Sequence, residues 1–195
     1  DHPQYPINPY GESKFFVEYM LQACAAAHGL RWISLRYFNA AGADPDGELG
    51  ENHDPETHLI PLVLAVASGR LADISIFGTD YDTPDGTCIR DYIHVTDLAA
   101  GHVASLERAN AGYSIFNLGT GIPVSVRELI AAFERASGRA IPSTLAPRRA
   151  GDVAASYADP AKAKRELDWS AELTIEQACA DYWHWQESNP AGYRG

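Results

Sequence analysis

The order of helical and extended segments in the first half of the chain restricts its fold most strongly. Asn8-Pro9 has the pattern of a helix start, and Gly29 follows His28 as a stop signal. Strands are predicted at 31–38, 73–77, 91–95 and 114–118, with helices at 59–68 and 96–110 between them. Such alternation requires crossover connections, so the sequence predicts an α/β fold with a largely parallel sheet.

Local signals continue this pattern through the second half. Ser125 and Glu128 have capping-box spacing, and that helix is predicted to run to Gly138. A strand is expected at 141–146, and the last two helices are expected to start near 159–160 and 174. Thr96 is expected to cap the helix that follows the 91–95 strand. The first helix carries apolar residues on more than one face, so we expect it to be largely buried.

Composition and charge exclude several classes of partner. The chain has 195 residues, with 15 basic and 26 acidic side chains and a net charge of −11. This charge argues against a nucleic-acid or anionic-membrane partner, and no apolar run is long enough to span a bilayer. A phosphorylated ligand would need a few placed arginines and backbone N–H groups.

The cysteines indicate a reducing, cytoplasmic environment. Cys24, Cys88 and Cys179 are odd in number and far apart. Because no Cys-x-x-Cys motif or Cys/His cluster occurs, we predict no zinc site, and no metal site is assigned.

Tyr10 and Lys14 are the first residues that suggest chemistry. They lie four positions apart on a predicted helix, hence on one face. A nearby ammonium favours the phenolate and lowers the pKa of a tyrosine, which suits it to act as a general base. The pair alone is a weak signal, but Asn8-Pro9 before it and Gly11 and Ser13 around it strengthen the interpretation. No Gly-x-Gly-x-x-Gly loop opens a helix anywhere in the sequence.

These residues carry a family resemblance. The 8–14 segment resembles the active-site helix of extended short-chain dehydrogenases/reductases that act on nucleotide sugars. Further segments are similar, in the same order, to UDP-galactose 4-epimerases: 35–43, 76–87, 90–95, 117–119, 147–152 and 181–186. The similarity covers essentially the whole chain, but not the family's glycine-rich NAD loop and catalytic Ser/Thr.

The resemblance implies a fold and an assembly. It implies the later part of a Rossmann-type parallel sheet plus a smaller α/β substrate-binding domain. Residues 1–39 and 86–121 would form what is present of the NAD-binding domain, and 40–85 and 122–195 would form the UDP-sugar-binding domain. The family also implies a homodimer.

The resemblance further implies an NAD-dependent isomerase that interconverts UDP-galactose and UDP-glucose. Tyr10 would remove the proton from the sugar O4 while the C4 hydride passes to tightly held NAD. Lys14 would hold the nicotinamide ribose and lower the pKa of Tyr10. Phe38 would lie against the nicotinamide.

Family analogy also predicts the UDP-sugar contacts. Asn39, backbone N–H groups near Leu59, and the side chains of Arg90 and Arg149 would bind the diphosphate or sugar. The family often has two asparagines where this chain has 57–58, so no side-chain contact is assigned there.

The nucleoside and the sugar would be bound elsewhere. Ser75 and Phe77 would bracket the uracil, and Asp152 would bind a ribose hydroxyl. Ser156 would lie against the sugar C2 substituent, where a tyrosine in some members excludes N-acetylated sugars. A serine leaves room, which predicts that the full-length protein also accepts UDP-GlcNAc and UDP-GalNAc.

Structural explanations remain open for several of these residues. Arg90 could pair only with Asp91, Arg149 could pair only with Asp152, and Phe38 could be part of the core. Two other functions also remain open. One is a related nucleotide-sugar 4,6-dehydratase or a decarboxylase making UDP-xylose, and the other is a UDP-sugar-binding fragment without catalysis.

Overall fold

The computed structural model describes residues 3–53, 55–108 and 113–193, which form an α/β fold. The helices are α1 (Pro9–His28), α2 (Leu59–Ala67), α3 (Val95–Arg108), α4 (Val126–Ser137), α5 (Ala161–Leu167) and α6 (Ile175–Ser188). The strands are β1 (Trp32–Tyr37), β2 (Asn39–Ala41), β3 (Ile74–Phe77), β4 (Ile89–Arg90), β5 (Tyr92–His94), β6 (Tyr113–Leu118), β7 (Val124–Ser125), β8 (Ser143–Ala146) and β9 (Ala155–Ser156). None of the helices in the described ranges combines the length and the hydropathy needed to cross a bilayer.

The predicted parallel pairing is confirmed. The pairs β1–β6, β2–β5, β3–β8 and β4–β9 are parallel, and β4–β7 is antiparallel. β1 and β2 are separated only by Phe38, whose N–H donates to the Leu118 carbonyl at 3.3 Å. The next N–H, that of Asn39, donates to the Asp91 carbonyl at 3.0 Å. The strand therefore changes partner from β6 to β5 at Phe38–Asn39, where the family resemblance places ligand contacts.

Two clusters of buried apolar side chains hold these elements together. The larger joins α2, α4 and α6 with β3, and includes Val63, Leu129, Phe133, Cys179 and Trp185. The smaller joins β5 and β6 with α5 and the residues after it, and includes Ile93, Phe116, Leu118, Leu167 and Trp169. Burial raises the pKa of the Cys179 thiol to about 12, so this cysteine is an inert core residue.

Most predicted helix ends are confirmed, because they depend on local signals. The Asn8 side chain accepts a hydrogen bond from the Gly11 N–H at 2.8 Å, and Gly29 ends α1 with φ of 66°. Ser125 and Glu128 form the predicted reciprocal capping box at the start of α4.

The predicted cap of α3 is wrong. The helix begins at Val95, and Thr96 lies inside its first turn. The Thr96 N–H donates to Nδ1 of buried His94 at 3.1 Å, so the histidine ring satisfies one of the backbone N–H groups that have no partner within the helix at this end. Nε2 of His94 is then the protonated nitrogen and donates to Asp181 on α6 at 3.1 Å. The predicted end of the helix near 110 lies outside the described residues.

The prediction that α1 is largely buried is also wrong. Glu18 is its one buried residue, whereas Tyr10, Phe16 and Tyr19 are 71%, 58% and 63% exposed. The helix meets β1 through the Glu18 carboxylate, which accepts hydrogen bonds from Arg36 and Ser34. The Arg36 guanidinium lowers the pKa of Glu18. An apolar composition predicts that a helix is buried, but the segment that buries it need not be the one that follows it in the sequence.

The carboxylate of Asp91 holds two distant segments against the junction of β4 and β5. Asp91 lies between β4 and β5 and is completely buried. One oxygen accepts from the Thr120 N–H at 3.0 Å and the Thr120 hydroxyl at 2.8 Å. The other accepts from the N–H groups of Gly121 at 2.9 Å and Ala158 at 3.1 Å. A side chain on Gly119 would approach this carboxylate to 2.7 Å, so glycine is required there.

We predict that Asp91→Asn lowers the free energy of unfolding by about 2–4 kcal/mol, because an amide NH₂ would face N–H donors and leave them unsatisfied. Urea titration followed by circular dichroism measures the loss. Asp46→Asn, at an exposed loop position, is the matched control and should change stability by less than about 0.5 kcal/mol. Equal stability of the two variants would contradict the role assigned to Asp91.

Candidate functional site

A cavity of about 1180 Å³ opens where β1, β3 and β4 end. Its volume is somewhat above the roughly 300–1,000 Å³ typical of small-molecule sites. Nine of the residues predicted for the site line it, namely Tyr10, Phe38, Asn39, Leu59, Ser75, Phe77, Arg90, Arg149 and Asp152. Two other predicted residues, Lys14 and Ser156, are not among its lining residues.

Tyr10 and Lys14 lie together at the start of α1. The Lys14 ammonium is 5.1 Å from the centre of the Tyr10 ring, as the four-residue spacing predicts. Asn8 fixes the first turn, and Pro9 supplies the φ angle suited to it. The Tyr10 phenol is mostly exposed and borders the cavity, so it is accessible to a ligand.

Two further tyrosines line the cavity, Tyr37 and Tyr92, and burial raises the pKa of Tyr92 well above the usual range. Burial disfavours the phenolate, so Tyr92 is unsuited to take up a proton near neutral pH. Of Tyr10 and Tyr92, Tyr10 is the better candidate base.

The junction between β1 and β2 brings Phe38 and Asn39 to the cavity. The Asn39 amide nitrogen donates to the Asp91 carbonyl at 2.8 Å, so the side chain is oriented by the strand junction. Phe38 is half-buried, and its ring is not part of either core cluster. The explanation of Phe38 as a core residue therefore receives no support.

The N-terminus of α2 borders the same cavity through Leu59 and Ile60. His58 is the N-cap residue, and its side chain makes no capping hydrogen bond. Pro61, in the first turn, has no N–H to leave unsatisfied. A helix start of this kind presents backbone N–H groups and a positive dipole end, which suit an anion.

Strand β3 alternates more exposed and buried residues beside the cavity. Ser75 and Phe77 are more exposed and line the cavity, whereas Ile74 and Ile76 are buried, and Ile74 also reaches the cavity wall. This period of two follows from strand geometry. The Arg149 guanidinium lies 4.7 Å from the centre of the Phe77 ring, in a cation–π contact.

Both predicted arginines meet at Asp152. Arg149 donates to the Asp152 carboxylate at 3.1 Å, and Arg90 lies 3.8 Å from its other oxygen. Arg90 also donates to the carbonyls of Ile89 and Val153. The alternative that Arg90 pairs with Asp91 is wrong, because Asp91 is occupied by backbone and hydroxyl donors. Two guanidinium groups thus share one carboxylate and leave a net positive edge on the cavity.

Ser156 lies next to these arginines, although it does not line the cavity. It is half-buried in β9, directly opposite Arg90 in the parallel β4–β9 pair. The following residue, Tyr157, is 54% exposed.

Some lining residues were not predicted from the sequence. They include Glu51, His58, Cys88, Tyr92 and Thr96. Tyr92 is brought to the cavity by the register of β5 and Thr96 by the first turn of α3, and no local motif reveals either placement. Glu51 and His58 belong to a Glu-x-His-x-x-Glu-x-His pattern whose spacing carries a signal for clustered ligands.

The chain is similar to proteins of known sequence and structure. UDP-glucose 4-epimerase of Bacillus subtilis is 48% identical over 200 residues, covering 100% of this chain and 58% of the relative. The crystal structure of UDP-glucose 4-epimerase from Bifidobacterium longum in complex with NAD⁺ and UDP matches with a TM-score of 0.92 at 49% identity, covering 95% of this chain and 56% of that one. The UDP-Glc/GlcNAc 4-epimerase of Campylobacter jejuni matches with a TM-score of 0.76 at 39% identity, covering 95% and 57%.

The chain thus spans somewhat more than half of the length of these relatives. The sequence profile of the NAD dependent epimerase/dehydratase family matches residues 1–119. The chain belongs to the NAD dependent epimerase/dehydratase family.

Proposed function

We propose that the protein containing this chain interconverts UDP-galactose and UDP-glucose by transient oxidation at the sugar C4 with bound NAD. The observation that carries this proposal is one cavity that joins Tyr10 with the Arg90–Asp152–Arg149 group and with Phe77. It offers a base at one side and cationic and aromatic groups at another, as a nucleotide sugar requires. Relatives near 48% identity named UDP-glucose 4-epimerase favour this activity over a dehydratase or a decarboxylase.

In the proposed reaction Tyr10 removes the proton of the sugar O4 and returns it after the sugar has turned over. Lys14, whose ammonium lies 5.1 Å from the centre of the Tyr10 ring, would hold the nicotinamide ribose. The chemistry that NAD supplies when bound is reversible acceptance of a hydride from C4. Phe38, half-buried at the strand junction, would lie against the nicotinamide.

The residues present fit only part of NAD. Tyr10, Lys14 and Phe38 suit the nicotinamide and its ribose, but the sequence contains no glycine-rich loop for the pyrophosphate. We therefore propose that a further segment of the protein holds the rest of the cofactor. A UDP-sugar-binding fragment without catalysis is accordingly the second candidate for the 195-residue chain alone.

The UDP half would occupy the opposite part of the cavity. Arg90 and Arg149 would bind the diphosphate together with N–H groups near Leu59, and Asn39 would reach the diphosphate or sugar. Asp152, which lies between the two arginines, would accept a hydrogen bond from a ribose hydroxyl.

The uracil would lie against β3. Ser75 and Phe77 alternate toward the cavity, and Phe77 is already covered on one side by Arg149. Ser156, beside Arg90, would face the C2 substituent. A serine is small enough to admit an N-acetyl group, so we propose UDP-GlcNAc and UDP-GalNAc as further substrates.

The assembly and the domains are proposed on the same basis. Exposed apolar residues along α1 support the proposal that the further segment and a second copy of the protein cover this helix. The two core clusters support division into an NAD-binding domain (1–39 and 86–121) and a UDP-sugar-binding domain (40–85 and 122–195). Leu167 packs in the smaller cluster with Phe116, so the chain returns to the first domain once more than these boundaries state.

Free cysteines support a cytoplasmic location. The net charge of −11 supports the absence of nucleic-acid and membrane partners.

We predict that Tyr10→Phe in the full-length protein lowers kcat for UDP-galactose roughly 10²- to 10⁴-fold, because general acid–base catalysis is lost. Proton NMR of the sugar anomeric signals follows the conversion. Tyr19→Phe, an exposed tyrosine on the same helix, is the control and should keep normal kcat. Full activity in Tyr10→Phe would exclude Tyr10 as the base.

We predict that Arg149→Met weakens UDP binding roughly 10- to 150-fold, since a hydrogen bond to a charged group contributes about 1.5–3 kcal/mol. Isothermal titration with UDP measures the dissociation constant. Arg139→Met removes an exposed arginine that does not line the cavity and should leave UDP binding unchanged. Equal affinity in both variants would remove Arg149 from the diphosphate site.

We predict that Ser156→Tyr abolishes turnover of UDP-GlcNAc and largely preserves turnover of UDP-galactose, because the larger ring fills the space for the N-acetyl group. Both reactions are measured by proton NMR on the full-length protein. Ser143→Tyr, on the exposed strand β8, should affect neither. A wild-type enzyme that converts UDP-galactose but never UDP-GlcNAc would contradict this specificity.

A further inference from the structure

We propose that Glu51, His53, Glu56 and His58 form a binding site for a divalent transition-metal ion of the zinc class. One ligand atom from each of these four side chains lies within 4.8 Å of the others. The set combines two imidazole nitrogens with two carboxylates, which are ligands that Zn²⁺ accepts in proteins. The prediction of no metal site rested on cysteine spacing and did not consider this His/Glu pattern.

The distances between the ligand atoms support tetrahedral coordination. With zinc–ligand bonds of about 2.1 Å, neighbouring ligand atoms of a tetrahedron lie about 3.4 Å apart. Nδ1 of His53 is 3.1 Å from Glu51 and 3.9 Å from Glu56. Nδ1 of His58 is 3.8 Å from Glu51 and 2.9 Å from Oε1 of Glu56. The three separations that involve Glu51 or Oε2 of Glu56 bracket the tetrahedral value, so an ion fits between the groups after small side-chain shifts.

The histidine rings are already arranged side by side. Their centroids are 5.6 Å apart with an angle of 25° between the planes, and both Nδ1 atoms approach the same two carboxylates. Two imidazoles that both point a nitrogen at one pair of carboxylates enclose a common centre. An imidazole nitrogen binds a metal only in its unprotonated form, so an ion would take the place of the present hydrogen bonds of His53 with Glu51 and of His58 with Glu56.

Glu56 is held in place by the backbone. Its Oε1 accepts hydrogen bonds from the N–H groups of Thr57 at 2.7 Å and His58 at 2.6 Å. Its side chain is only 18% exposed. Oε1 is therefore fixed, and Oε2 remains available for a metal. Hydrogen bonds that orient a ligand in this way strengthen metal sites.

The site lies at the rim of the large cavity. Glu51 and His58 line that cavity, and His58 is the N-cap of α2. A bound ion would tie Glu51 and His53 to Glu56 and His58 at the start of this helix. This inference concerns metal binding alone and does not depend on the proposed epimerase activity.

The test is titration of the metal-free, full-length protein, including any sequence that adjoins this chain in its gene, with Co²⁺ and Zn²⁺. We expect one Co²⁺ per chain with the intense visible bands of tetrahedral cobalt, displaced by one equivalent of Zn²⁺. His53→Gln and His58→Gln should each weaken binding by about tenfold or more and remove these bands. Both residues are exposed, so the variants should fold, which circular dichroism verifies.

His28→Gln and His102→Gln are the matched controls, because these exposed histidines lie outside the cluster. They should bind Co²⁺ like the wild type. Failure of the wild type to bind Co²⁺ or Zn²⁺ would overturn the proposal and leave the four side chains as histidine–carboxylate pairs. Six-coordinate cobalt bands, or binding that survives in both His53→Gln and His58→Gln, would overturn it as well.

Discussion

The buried carboxylate of Asp91 is the interaction on which the arrangement of the site depends. Its two oxygens hold the Thr120–Gly121 turn after β6 and the backbone of Ala158 after β9. The carbonyl of the same residue accepts from both the backbone and the side chain of Asn39. Asp91 therefore holds the ends of β1, β6 and β9 next to β4, and this arrangement positions Arg90 at the cavity. A polar group this deep is tolerated because its hydrogen bonds within the protein replace those to water.

The arginine pair would give the proposed diphosphate a local attraction in an acidic protein. The chain carries a net charge of −11, so its overall field opposes a diphosphate. Asp152 lies between Arg90 and Arg149, hydrogen-bonds Arg149, and offsets only part of the charge of the pair. The N-terminus of α2 adds N–H donors without adding a charged side chain. The groups that would attract a diphosphate are thus concentrated at one place on a protein whose overall charge would repel it.

Local signals explain what could be predicted from the sequence. The start of α1 at Asn8-Pro9, its end at Gly29 and the Ser125 box each need only a few neighbouring residues, and each was correctly predicted. The shared cavity was predictable from family resemblance, because nine of the expected residues line it. Properties that depend on distant segments were missed. The exposure of α1 depends on what covers it, and the His94 cap depends on a ring fixed by Asp181.

The same limit applies within the site. Spacing predicts that Tyr10 and Lys14 are neighbours, but not that only Tyr10 borders the cavity. The partner of Arg90 is Asp152, which is distant in sequence, and not the adjacent Asp91. Sequence patterns therefore identify the chemical groups, whereas the register of β4, β5 and β9 determines which of them meet.

The most direct test of the central claim is inversion at C4 of UDP-galactose, followed by proton NMR with added NAD. It should be measured for the 195-residue chain and for the full-length protein, including any sequence that adjoins this chain in its gene. We predict conversion to UDP-glucose by the longer protein only, because the NAD pyrophosphate needs groups that these residues do not supply. Conversion by neither protein, with both folded, would contradict the proposed epimerase. Conversion by the 195-residue chain on its own would contradict the proposal that a further segment holds part of the cofactor.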